Sequence, residues 1–297
     1  MKVLITGAKG FIGSNLTGRL SLLGDSVASF DSVGGQDIRN LEQVQAAIKG
    51  KDIVFHLAAV ADLNWAGAYP IETMEVNIQG TWNIAIACLR AGAKLYYAST
   101  CCVYGNQEHH PSTEESLPNP AEIYAYTKLA GENVVRGLHC SFGLPYSIMR
   151  FATIYGEGMR PALAPHIFLG QALRREPITI HGDGIQTRTL TYIDDLIDAV
   201  VTLYQSGKLN DVWNMSTTRT VSAVQIARDI KEVTKSQSEL VNVPQRVGQT
   251  FQEEISSDKI FRETGWKAKV EWEDGLRRTY QWFVKTGQIN NVYEKPR

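Results

Sequence analysis

The chain has 297 residues, 43% of them hydrophobic and 21% charged, with 30 lysines and arginines against 31 aspartates and glutamates for a net charge of −1. That length holds about two domains and a large core, and the balance excludes disorder, coiled coil and a bulk electrostatic footprint for nucleic acid or an anionic membrane. The longest apolar run, about Ile53 to Ala61, falls well short of a bilayer span, and Val3-Leu4-Ile5 is no signal-peptide core. Four cysteines (Cys88, Cys101, Cys102, Cys140) are too few for a disulfide framework, and none has metal-ligand spacing with a histidine. The expectation is a reduced, cytoplasmic enzyme without metal, membrane or nucleic-acid partner.

Short apolar runs alternate with stretches of helical period. Lys2–Thr6 predicts a strand, followed by the glycine-rich Gly7–Gly13 and a helix to about Leu23. Strands are predicted at Ser26–Asp31, Asp52–Ala59, Lys94–Thr100 and Tyr146–Phe151, with helices at Leu41–Lys49, Ile71–Ala91 and Ala121–Cys140 between them. This alternation predicts βαβ units and an α/β fold, a Rossmann-type doubly wound parallel sheet covered on both faces. After Phe151 proline and glycine become frequent, and shorter elements alternate from Ile178 to Val284. The division expected is a dinucleotide-binding domain over 1–155 and a smaller C-terminal α/β substrate-binding domain over 156–297. The run Thr189–Tyr204 has the option of returning to the first sheet.

Gly7, Gly10 and Gly13 follow the first strand and open a helix. In that setting Gly7 allows a tight turn, Gly10 lets backbone approach a pyrophosphate, and Gly13 lets helix and sheet pack closely. Asp31 closes the second strand, where a carboxylate accepts bonds from ribose hydroxyls and repels a 2'-phosphate, so NAD is expected over NADP. Asp37, before Ile38, is either a carboxylate near the adenine or a helix N-cap, with Asn40 as the rival cap. Leu57, Ala58 and Ala59 end the third strand, where small residues let a flat ligand approach. His56 beside them reads as a core histidine.

Tyr124 and Lys128 stand at i and i+4 of a predicted helix, on one face. A nearby ammonium lowers a phenol's pKa and makes it a usable base for oxidising an alcohol. The segment Ser99-Thr100-Cys101-Cys102-Val103-Tyr104-Gly105 follows the fourth strand, and ligands of open parallel sheets lie beyond the carboxyl ends of strands.

With these motifs in order, the chain resembles the extended short-chain dehydrogenase/reductase superfamily, in its NAD-dependent nucleotide-sugar epimerase/dehydratase branch. The resemblance spans nearly the whole chain. It runs through Thr6-Gly-Ala-Lys-Gly-Phe-Ile-Gly13, Val76-Asn-Ile-Gln-Gly-Thr81, Tyr124-x-x-x-Lys128, Arg150-Phe-Ala-Thr-Ile-Tyr-Gly156, Tyr192-Ile-Asp-Asp195 and Gly265-Trp266. It implies Thr100 as the catalytic Ser/Thr, Tyr124 as base, and Lys128 as the group that holds the nicotinamide ribose and acidifies the phenol. It implies Asn77, Phe151 and Ile154 beside the cofactor, along with Phe11 and Ile12 of the glycine-rich turn. Thr153, where asparagine is common, would lie near the substrate's phosphates. Arg188 and Arg246 resemble arginines that meet the diphosphate, and Arg160 could meet a uronate carboxylate or be a surface loop residue. Members often dimerise through two helices, here those at Ile71–Ala91 and Ala121–Cys140.

Dehydratases of this branch resemble Thr-Asp-Glu-Val-Tyr-Gly, where the two carboxyl groups drive elimination, and related decarboxylases keep the glutamate. Cys101 and Cys102 stand at those places here. A thiol mostly protonated at neutral pH replaces that pair poorly. The reading is therefore epimerisation at C4 of a nucleotide-diphosphate sugar, a UDP-sugar or UDP-uronate, through a 4-keto intermediate. The alternatives are a 4,6-dehydratase, a 4-ketosugar reductase, and a non-catalytic dinucleotide sensor.

Overall fold

The structure, a computed structural model, describes residues 1–217, 219–245 and 251–288. Six strands form a parallel sheet: β1 (Lys2–Thr6), β2 (Ser26–Phe30), β3 (Ile53–His56), β4 (Lys94–Thr100), β5 (Tyr146–Phe151) and β9 (Asp211–Met215), in the spatial order β2-β1-β3-β4-β5-β9. Alternation along the strands sorts side chains to two faces. Val3, Ile5, Ile53, Phe55 and Tyr96 join Leu16 and Leu20 of α1 (Phe11–Leu22) and Leu196 and Val200 of α8 (Ile193–Ser206). Leu4, Val54, Leu95 and Tyr97 point the other way. They pack on Val44 of α2 (Leu41–Ile48), Ile84 and Cys88 of α5 (Gly80–Ala91), and Val135 and Leu138 of α6 (Ile123–Phe142). The doubly wound fold read from the sequence is the one observed.

The segment predicted as one helix over Ile71–Ala91 is three pieces: α4 (Pro70–Met74), a π-helical turn at Glu75–Gln79, and α5. The sequence reading passed over α3 (Leu63–Ala68), α7 (Ala164–Leu173) and α10 (Asp258–Thr264). Beyond β5, strand β6 (Thr153–Tyr155) pairs with β8 (Thr187–Tyr192) and β8 with β10 (Thr220–Ser222), while β7 (Ile178–His181) pairs with β11 (Leu240–Val243). With α7, α9 (Ala223–Thr234) and α11 (Trp272–Thr286) these make the smaller portion.

The two portions interleave. Asp211–Met215 is the sixth strand of the first sheet, and α8 packs on α1, so the chain re-enters the first sheet well after residue 156. Ile178, Leu190, Val221 and Trp266 of the smaller portion share one continuous core cluster with Val3 and Phe55. Among the described residues no helix is long and apolar enough to cross a membrane, and no group of histidine, cysteine and acidic side chains could hold a metal ion.

Candidate active site

The sheet's winding reverses at β1, with β2 on one side and β3 on the other. A crevice opens at such a switch point, beyond the carboxyl ends of the strands. Gly7 sits there at φ +69, and a Cβ on it would come within 2.8 Å of the Ala58 amide nitrogen. A Cβ on Gly13 would lie 2.0 Å from the Gly7 carbonyl oxygen. The start of α1 has no side-chain cap and no acidic residue in its first turn, so its amides are left for an anion. This is a cradle that side chains would fill, and it fits a dinucleotide pyrophosphate.

Asp31 directly follows β2, 9% exposed; one carboxylate oxygen accepts from Lys9 N–H at 2.8 Å and the other from Val33 N–H at 3.0 Å. It therefore pins the glycine-rich turn to the strand end and keeps lone pairs for a ribose hydroxyl. Asn40 caps α2, accepting from Gln43 N–H at 3.1 Å. Asp37 grips Arg39 instead, through bonds of 2.7–3.1 Å, and the guanidinium holds its carboxyl below the usual range. Ile38 is buried and packs on Gly80. His56 is a core histidine. Its ring nitrogens meet the Thr6 and Thr81 hydroxyls at 2.7 and 3.1 Å, and burial lowers its pKa to about 3.

Leu57, Ala58 and Ala59 follow β3 and are half-buried, as are Phe11 and Ile12. Asn77, in the π-helical turn, clamps this loop. Its Oδ1 accepts from Val60 N–H at 2.8 Å, and its Nδ2 donates to Val60 O at 2.9 Å and to the Thr127 hydroxyl at 3.0 Å. Phe151, at the end of β5, and Ile154, in the middle of β6, are buried.

Thr100 ends β4 and caps the short turn Cys101–Tyr104, accepting from Cys102 N–H at 3.2 Å. Across from it Glu122 caps α6, accepting from Tyr124 N–H at 2.8 Å and Ala125 N–H at 3.1 Å. That cap fixes Tyr124 in the first turn, where its half-buried phenol shares a hydrogen bond with the Thr100 hydroxyl. Desolvation pushes the phenol above its ordinary value, and the facing Cys102 adds to this. Arg160 and the Thr100 bond pull it back.

The Lys128 ammonium donates to the Ala98 carbonyl at 2.8 Å and lies 5.1 Å from the centre of the Tyr97 ring. It is 3% exposed, and burial lowers its pKa to about 7 against an opposing pull from Glu132. A spacing of four residues set both groups on one face of the helix. It did not set the ammonium's direction, which is to the Ala98 carbonyl.

Beneath the site runs a polar network the sequence reading missed. Glu132 holds Arg150 through two bonds of 2.8 and 2.6 Å, both side chains at most 2% exposed, and accepts from the Ser99 hydroxyl at 2.5 Å. Arg150 donates to the Tyr104 hydroxyl at 2.9 Å, and that hydroxyl to Asn214 Oδ1 at 2.7 Å. Two signals were available: Glu132 continues the Tyr124–Lys128 face by one more turn, and Arg150 is a cation in an otherwise uncharged strand. Cys101 donates to the Arg150 carbonyl at 3.4 Å and Cys102 faces Tyr124 and Glu253; both are free thiols, pushed up by burial.

On the other side Arg188 projects from β8, and its guanidinium donates to the Thr187 carbonyl at 2.7 Å. Thr153 meets the Glu253 carboxyl at 3.5 Å. Arg160 is a strap as well as an exposed loop residue, since its guanidinium donates to the Ala61 carbonyl in the loop after β3. Arg246 lies outside the described residues.

The family model described as the NAD dependent epimerase/dehydratase family matches residues 3–216. The chain belongs to this family. It is similar to a UDP-N-acetyl-alpha-D-glucosaminuronate decarboxylase of Bacillus cytotoxicus, 30% identical over 95% of this chain and 97% of that one. Its fold matches the UDP-glucose 4-epimerase of Thermotoga maritima, crystallised with UDP-glucose, at a TM-score of 0.93 and 29% identity over 96% of this chain and 99% of the other. It also matches the UDP-glucuronic acid 4-epimerase of Bacillus cereus, crystallised with UDP-glucuronic acid and NAD, at a TM-score of 0.91 and 29% identity over 96% and 100%. dTDP-D-glucose 4,6-dehydratases match over similar spans. The family is settled by these matches, and they span three reactions.

Proposed function

We propose that this enzyme of the epimerase/dehydratase family inverts C4 of a nucleotide-diphosphate sugar, a UDP-sugar or UDP-uronate. The observation that carries the choice is the pair Cys101 and Cys102, two protonated thiols where dehydratases resemble Asp-Glu. Neither supplies a carboxyl acid or base for removing water.

Gly7, Gly10, Gly13, the amides opening α1 and the Asp31 carboxylate would hold the NAD cofactor, which would supply reversible hydride transfer at C4. Tyr124, through its bond to Thr100, takes the C4 hydroxyl proton and later gives it back. Ligand binding has to reverse the present balance at the phenol, because the free protein keeps it protonated. Lys128, released from Ala98, is the cation within the same helix turn for that task and for a ribose hydroxyl. Arg188 forks onto the diphosphate, which leaves the sugar free to turn.

The homodimer we propose uses α4, α5 and α6, whose outer faces leave Ile71, Met74, Trp82 and Tyr126 exposed.

Decarboxylation is the second reading, favoured by the Bacillus cytotoxicus relative. Incubation with UDP-, GDP-, CDP- and dTDP-sugars separates the two. The C4 epimer of one of them is the expected product; a 4-keto-6-deoxy sugar or a pentose with release of carbon dioxide would overturn the proposal.

A further inference from the structure

A buried carboxyl group lies beside Thr153 and the two thiols. Glu253 lies in a stretch that crosses from the C-terminal portion to the mouth of the sheet. The stretch is tied down by Phe251 N–H to Asn106 Oδ1 at 2.8 Å, Glu253 N–H to Thr187 O at 3.2 Å, and the Thr189 hydroxyl to Glu253 O at 3.0 Å. The side chain is 7% exposed, and its Oε1 is 3.5 Å from the Thr153 hydroxyl. Its neighbours are Cys101, Cys102, Arg188 and the backbone amides of Thr153 and Thr189. Among the described residues it makes no ion pair.

Nothing in the mechanism above uses this group. Its donors are neutral amides and a hydroxyl, with a guanidinium further off. Burial pushes the carboxyl above its usual range, Arg188 and these donors pull it back, and its oxygens accept further hydrogen bonds. A sugar hydroxyl can supply one. A sugar carboxylate brought beside it meets like charge in a partly desolvated pocket. The cation that would offset that charge, Arg160, is engaged with Ala61 across the cleft.

We propose that Glu253 is a specificity-determining residue of the sugar pocket, admitting a neutral hexose on the nucleotide diphosphate and rejecting a uronate. The proposal rests on the nucleotide-sugar reading above and narrows it.

The test is calorimetric binding of UDP-glucose, UDP-galactose, UDP-glucuronate and UDP-galacturonate to the NAD-loaded protein. It is made on the native chain, Glu253→Gln and Glu253→Asp, with UDP alone and thermal unfolding as controls for the nucleotide site and the fold. The native chain should bind the neutral sugars at least about tenfold more tightly than the uronates, Glu253→Gln should close that gap by a similar factor, and Glu253→Asp should keep it. Equal binding of both classes by the native chain overturns the proposal, and this result needs no variant to fold. So does an unchanged gap in a folded, UDP-binding Glu253→Gln. Solvent deuterium entering C5 with native protein but not with Glu253→Gln would also overturn it, by assigning the group to chemistry. If UDP and all four sugars fail to bind, the nucleotide-sugar reading itself falls; if UDP binds without discrimination between sugars, only the role of Glu253 does.

Discussion

On the dinucleotide side the cleft is drawn in backbone. Gly7 is left-handed, Gly13 has no room for a Cβ, and the amides at the start of α1 stand uncapped. On the side proposed for the sugar it is drawn in side chains from separate segments: Thr100 at the end of β4, Thr153 in β6, Arg160 in a loop, Arg188 in β8 and Glu253 in the C-terminal stretch. A backbone cradle accepts few substitutions, because the chain path itself makes the contact. A pocket of side chains can be retuned one residue at a time, and relatives of similar fold accordingly carry out different reactions on different sugars.

Tyr124 and Lys128 stand where the two sides meet, and the largest expected effect is there. Tyr124→Phe should lower turnover by about 10²–10⁴-fold while bound NAD, measured after denaturing the protein, stays stoichiometric. Loss of NAD together with activity would move this residue to the dinucleotide side.

Next in size is the floor that both sides share. Glu132→Ala leaves Arg150 buried without its partner, and should destabilise the protein by about 3–5 kcal/mol in chemical denaturation. A loss no larger than that of a surface residue would mean that the network under β4 and β5 does not hold the two sides in register.

Smaller, and opposite in sign, is Lys128→Met, which should abolish turnover yet raise stability at neutral pH by about 1–2 kcal/mol. The folded pKa of Lys128 is about 7, below the ordinary 10.5. Between those values the unfolded chain binds the proton and the native chain does not, so native stability rises with pH through that window. The advantage of Lys128→Met should therefore shrink from about pH 7 to about pH 10.5. A gap independent of pH would mean that the ammonium is not desolvated.

The glycine-rich turn was legible in the sequence because glycines are demanded by backbone geometry and leave a spacing behind. The strands of the parallel sheet were legible for a similar reason, as their continuous apolar runs are buried on both faces. Helix α7 escaped because Pro165 reads as a breaker, although it occupies the first turn, where proline starts helices. The direction of Lys128, the tie from Arg160 to Ala61 and the position of Glu253 depend on contacts between distant segments. No local pattern encodes them.

The most direct test of C4 inversion is conversion of the accepted sugar nucleotide in deuterated water, followed by NMR. A hydride removed and returned within one closed site never mixes with solvent, so the epimeric product should keep its C4 hydrogen and carry no deuterium at C4 or C5. Deuterium in the product sugar would show that a proton was exchanged with solvent, as in elimination or decarboxylation, and would contradict the account.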